Sequence, residues 1–131
     1  MSEPTKTVNR PLSPHLQVYK PQLTSMMSIG HRITGFALSV GLIVPVFWLV
    51  SLTQGPSAYA EFHEFLRSGL GLFLIFGWVF SLSYHLLNGL RHLMWDTGRG
   101  LDLKSTYLTG WAVVIGSLIL TAFILFAGFN L

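Results

Sequence analysis

The sequence predicts an all-α integral membrane protein, with three transmembrane helices behind an extended N-terminal arm. Three observations carry that expectation. Hydrophobic residues make up 51% of the 131 and charged residues 10%, a balance that a soluble domain of this size has no core to absorb. The apolar excess is gathered into three runs, near 33–52, 69–90 and 108–129, each close to the roughly 20 residues that cross a bilayer's hydrocarbon as a helix. The basic residues fall almost entirely on one side of the layout those runs define.

The chain is one domain, 1–131, with residues 1–27 as the arm and helices expected over about 28–52, 67–95 and 106–129. The arm is polar and interrupted by Pro4, Pro11, Pro14 and Pro21, which restrict backbone angles and block a continuous helix. Its segment Arg10-Pro11-Leu12-Ser13-Pro14-His15 reads either as a plain tail or as a stretch that lies across a partner protein at the membrane surface. Helix one is expected to start near Thr24 or Ser25, either of which can cap it, and to bend at Pro45. After Gly55 and Pro56, the helical spacing of Tyr59, Phe62, Phe65 and Leu66 points to a turn or two of helix lying on the membrane surface. Helix two runs to about Asp96, longer than a span requires. A glycine-containing turn follows, reaching Lys104, and leads into helix three. Trp95, Tyr107 and Trp111 at one interface and Trp48 at the other fit aromatic belts.

With this layout Lys6, Arg10, Lys20, Arg32, Arg91, Arg99 and Lys104 share one side and Arg67 stands alone on the other. Positive charge collects on the cytoplasmic side of membrane proteins, so the N-terminus is expected in the cytoplasm and the C-terminus outside. A pI near 9.6 could otherwise point to nucleic acid, but no basic soluble domain is present to bind it, and no nucleic-acid partner is expected. The first apolar run starts too late for a secretory signal. With no cysteine, the chain can supply neither disulfides nor thiolate ligands for metals or iron–sulfur clusters.

Ionisable residues inside a membrane helix are costly and need a partner or a purpose. On helix one, Ser28, Arg32 and Gly35 follow i, i+4, i+7 spacing, with His31 beside them. On helix two, His85, Asn88 and His92 form a stripe, followed by Arg91 and Asp96. His85 stands 11 residues before Asp96, roughly 16 Å along the axis, too deep to reach the interface. A neutral imidazole there seeks either an interhelical hydrogen bond or a metal such as heme iron, and Gly89 would leave room for a flat macrocycle. His31, Arg91 and His92 lie nearer the surface, where they could meet heme carboxylates or, for Arg91, lipid headgroups. Ser28 and Arg32 offer a hydroxyl and a fixed charge suited to a carbonyl that gains negative charge on reduction. Taken singly, Arg32 also reads as an interfacial anchor.

The arm motif, the helix-one string Ser28-Ile29-Gly30-His31-Arg32-Ile33-Thr34-Gly35 and the helix-two string His85-Leu86-Leu87-Asn88-Gly89-Leu90-Arg91-His92-Leu93-Met94-Trp95-Asp96 together resemble the cytochrome b membrane-anchor subunits of succinate dehydrogenase. The likeness covers nearly the whole chain, with all three motifs in order; Gly30 stands where a larger apolar residue is expected, which would loosen local packing. The resemblance implies a non-catalytic anchor in a complex with a second anchor subunit, an iron–sulfur subunit and a flavoprotein subunit. It also implies that His85 is one axial ligand of heme b, the other coming from the second anchor, that His31 lies by the propionates, and that Ser28 and Arg32 bind ubiquinone. The proximity of the arm motif to the start looks bacterial, which places the chain in the inner membrane with its C-terminus in the periplasm. Two rivals are a self-sufficient cytochrome using two of its own histidines and, in another class, a transporter subunit with a proton relay.

Overall fold

A computed structural model describes residues 20–130; the arm motif at 10–15 lies outside them. Among the described residues five helices follow one another: α1 (Leu23–Gly41), α2 (Ile43–Gln54), α3 (Pro56–Arg67), α4 (Gly69–Asp96) and α5 (Leu103–Asn130). Three stretches, Leu23–Gln54, Gly69–Asp96 and Leu103–Asn130, are long and apolar enough to cross a membrane.

α1 and α2 are one span broken at Leu42. The break lies where Pro45 dictates: proline has no N–H to offer the Gly41 carbonyl, and its ring crowds that oxygen. Leu42 keeps helical angles and donates its N–H to Leu38, while the next bond, from Val46 N–H to the Leu42 carbonyl, stretches to 3.4 Å. The start of α1 differs from expectation. Gln22, in extended conformation after Pro21, is the N-cap and makes no side-chain cap bond, so Thr24 and Ser25 lie inside the first turn.

Gly55, at φ +105°, adopts a backbone that side-chain-bearing residues avoid, and Pro56 opens α3 directly after it. α3 runs for three turns rather than one or two, with no fully buried residue. Ser68 then caps α4, its hydroxyl accepting from Gly71 N–H at 3.1 Å.

The bundle is small and polar inside and apolar outside. Among the described residues only Met27, Tyr84 and Val113 form a buried hydrophobic cluster, while Ser83, Asn88, Ser117 and Thr121 are almost fully buried. Gly110, Val113, Ser117 and Thr121 make one close-packed stripe on α5, the pattern by which membrane helices approach each other where lipid removes the hydrophobic drive. The hydroxyls of Ser83, Ser117 and Thr121 bond carbonyls of their own helix at 2.7–2.9 Å, so none of these three donors is stranded in hydrocarbon. Phe36, Phe73 and Phe126 are each at least 70% exposed, a surface that only lipid or partner helices can cover. The chain is a multi-pass membrane protein.

Candidate functional site

Where α1 crosses α4, the middle of both helices carries histidine. The rings of His31 and His85 stack at 3.8 Å between centroids and 9° between planes. His92 closes the far side, 5.3 Å from His31 and edge-on to Trp95. One small residue permits this approach: a Cβ at Gly35 would stand 3.0 Å from His85 Cε1. A Cβ at Gly89 would meet nothing within 4 Å, so the space around it is open.

The hydrogen bonds of His85 determine its tautomer. Its Nδ1 lies 3.1 Å from the His31 carbonyl, which can only accept, and 3.3 Å from the Thr34 hydroxyl. Nδ1 therefore carries the proton, and Nε2 presents a lone pair. Thr34 is itself buried and leans on the Gly30 and His31 carbonyls at 2.8 and 3.0 Å. Nε2 has no hydrogen-bond partner among the described residues. Metal-binding histidines are oriented in this way, one nitrogen tied to a carbonyl and the other offered to the ion. The residues present thus fit an axial heme ligand: a directed lone pair on a half-buried ring, with a glycine one turn away leaving its flank open.

Ser28 and Arg32 are both exposed on α1, one helical turn apart and on the flank beyond Gly35. They share a face with each other and adjoin the His31 position, but the described residues do not enclose them.

Arg91 departs from the expectation that grouped it with the histidines. It is 5% exposed and turns toward α5, with Nε donating to the Thr109 hydroxyl at 3.0 Å, Nη2 to the Thr106 carbonyl at 2.8 Å, and Nη1 to the Met27 sulfur at 3.7 Å. Its guanidinium also lies over the Trp95 ring, 4.0 Å from the centroid. These contacts make it a strut joining α1, α4 and α5. One turn of helix separates residues facing different neighbours, and spacing alone could not say which neighbour Arg91 faces.

Asn88 also turns inward: it is 1% exposed, whereas His92 is exposed and His85 half-buried. Gly30 corrects another expectation. It tightens packing, since a Cβ there would stand 3.1 Å from the Tyr84 hydroxyl oxygen, and that hydroxyl donates to the Met27 carbonyl at 3.1 Å. Sequence reading passed over Thr34, Tyr84, Thr106 and Thr109. The available signal was that each is polar or hydroxyl-bearing within or at the end of an apolar run.

Residues 6–124 match the family model described as succinate dehydrogenase/fumarate reductase transmembrane subunit. The chain belongs to that family. Among relatives of this transmembrane subunit is the succinate dehydrogenase cytochrome b556 subunit of Paracoccus denitrificans, 43% identical over 121 residues that cover 92% of this chain and 93% of that one. The cytochrome b556 subunit of Rickettsia conorii is 42% identical over 112 residues, 86% of this chain and 87% of that one. The mitochondrial cytochrome b560 subunit of Bos taurus is 46% identical over 114 residues, 83% of this chain and 66% of that one. The family is one of membrane subunits, so this chain is a non-catalytic anchor rather than a dehydrogenase in its own right.

Proposed function

We propose that this chain is the cytochrome b anchor of a succinate:ubiquinone oxidoreductase, ligating heme b through His85 and lining a ubiquinone site with Ser28 and Arg32. The observation that carries the reading is the His85 ring: Nδ1–H is held by the His31 carbonyl, and Nε2, without a hydrogen-bond partner among the described residues, is left as a lone pair. When bound, a heme supplies a one-electron carrier between the dehydrogenase and the quinone. In this reading His31 and His92, whose rings lie 5.3 Å apart, would meet its propionates. Arg91, committed to α5, is left out of that set.

The second axial ligand comes from another chain. A heme held by two histidines would need both rings to present a nitrogen to it, with room for the group between them. Rings stacked 3.8 Å apart and nearly parallel leave no space for one between them, which argues against His31 and His85 as a self-sufficient pair. His92 is on the same helix as His85, about 10 Å further along it. At the quinone site, Arg32 stabilises negative charge as it develops on a carbonyl oxygen and Ser28 donates a neutral hydrogen bond. The partners of this reading are a second anchor subunit, an iron–sulfur subunit that passes electrons to the quinone, and a flavoprotein subunit that oxidises succinate. Isolation of the tagged chain in mild detergent is expected to bring down three further subunits and a b-type heme spectrum. Heme without partners would favour the self-sufficient cytochrome, and neither heme nor partners would favour a transporter subunit.

The membrane is the bacterial cytoplasmic membrane, with the N-terminus and the α4–α5 loop in the cytoplasm and the C-terminus in the periplasm. The charge asymmetry supports this, since Lys20, Arg32, Arg91, Arg99 and Lys104 all lie toward one end of the bundle and Arg67 toward the other. A C-terminal reporter active only in the periplasm should therefore signal strongly. A cytoplasmic signal instead would reverse the topology and place the quinone residues on the wrong side for the iron–sulfur subunit.

A further inference from the structure

The two buried residues of α1, Met27 and Thr34, are seven apart in sequence and so lie on one face of the helix. Each meets one of two adjacent residues of α4. The Thr34 hydroxyl lies 3.3 Å from His85 Nδ1. At Met27 the neighbour is Tyr84, whose hydroxyl donates to the Met27 carbonyl at 3.1 Å. Gly30 leaves room for that bond, since a Cβ there would crowd the hydroxyl oxygen at 3.1 Å. The Met27 side chain is gripped as well. Arg91 Nη1 reaches its sulfur at 3.7 Å, and Gly110 on α5 comes so close that a Cβ there would stand 3.0 Å from the same sulfur. At 3% exposure, Met27 is held by both of the other spans.

A helix gripped at one residue is fixed in rotation there. Each residue turns by about 100°, so Ser28 stands about 100° round the axis from Met27 and Arg32 about 140° round it; both are exposed. We propose that the Tyr84 hydroxyl, through the Met27 carbonyl, sets the angle at which the Ser28 hydroxyl meets quinone. Tyr84 is a positioning residue, acting through the first turns of α1. Its bond goes to a backbone atom, so a change of the Met27 side chain leaves the acceptor in place, whereas loss of the Tyr84 oxygen removes the bond. Arg32 depends on it less, because it stands between His31 and Thr34, which meet His85 Nδ1 at 3.1 and 3.3 Å. The hold on Met27 stands on these contacts alone; its consequence for quinone rests on the function proposed above.

Tyr84→Phe deletes that oxygen and keeps the ring. In the purified complex the quinone KM is expected to rise about two- to tenfold, the range of one neutral hydrogen bond. The kcat, the heme content and succinate oxidation by an artificial acceptor stay near wild type. Met27→Leu keeps the carbonyl and most of the volume, and its KM is expected to stay near wild type. In a Ser28→Ala background Tyr84→Phe should raise KM no further, because the group it positions is gone; independent effects would multiply. An unchanged KM in Tyr84→Phe, multiplying effects in the double variant, or a rise in Met27→Leu as large as that in Tyr84→Phe overturns the proposal. So does joint loss of heme and both activities in Tyr84→Phe, which would make the bond a matter of assembly. If Ser28→Ala itself leaves the quinone KM untouched, the quinone reading of Ser28 has failed rather than the hold on Met27, which a label reads directly. The chain has no cysteine, so Ser28→Cys gives it a single thiol for a nitroxide. The EPR line of that label in the complex, corrected for labelled partner subunits with the unsubstituted complex, is expected to narrow when Tyr84→Phe is added and the turn loosens. An unchanged line overturns the hold itself.

Discussion

Replacing His85 with alanine is expected to strip the b-type heme from the purified complex, with heme per complex falling by about tenfold or more. The argument rests on what the substitution removes. Loss of partners that only orient a metal ligand costs about 10–100-fold in metal affinity, and in the function proposed above His85 is the ligand itself. The same change deletes the Nδ1–H bond to the His31 carbonyl and the 3.8 Å ring stack, so His31 loses its support as well. Pyridine hemochrome content normalised to the flavoprotein subunit measures the effect. His63→Ala is the control, since that ring pairs with Tyr59 on α3, far along the chain from the stack. A wild-type heme spectrum in the His85 variant would end the ligand assignment, whatever the anchor role.

Arg32→Leu carries the second large effect. A positioned charge facing an oxygen that gains negative charge in the transition state contributes roughly 2–4 kcal/mol, about 30- to 1000-fold in rate. Quinone reduction should fall by that factor on a heme-normalised basis, while succinate oxidation by an artificial acceptor upstream of the quinone stays near wild type. Ser28→Ala removes a neutral donor and should cost about 1 kcal/mol. Arg32→Lys should restore only part of the rate, because an ammonium does not reproduce the planar fork of a guanidinium. The exposure of Arg32 on α1 also permits a plain interfacial anchor. In that case lysine would substitute fully and both assays would fall together through lost assembly, which would move Arg32 out of the quinone site.

Much of the architecture was legible because membrane helices announce themselves by composition. Three apolar runs, a proline in the first and glycine–proline after it led to α1–α2, α4 and α5, and to the break near Pro45. The length of α3 was understated, because Pro56 at its start reads as a loop signal as readily as a helix N-terminus. Capping by Thr24 or Ser25 failed because Pro21 and Gln22 already supply the extended entry, so the helix begins before either residue is reached.

At the site, the sequence by itself determined which residue types lie at which depth: a histidine 11 residues from the end of α4, glycines one turn from the ring positions, and a serine and an arginine one turn apart on α1. Those follow from 1.5 Å of rise and 100° of turn per residue, and need no knowledge of neighbours. The tertiary structure alone decided which neighbour each side chain meets. His31, Asn88 and Arg91 all belong to motif strings that read as one functional patch. The crossing of α1 on α4 lays His31 flat on His85 and ties His85 Nδ1 to the His31 carbonyl, closes the bundle over Asn88, and turns Arg91 away to Thr106 and Thr109 on α5. A helix presents every direction around its axis, and only the packing of the other helices settles which of those directions faces a ligand, a strut or lipid.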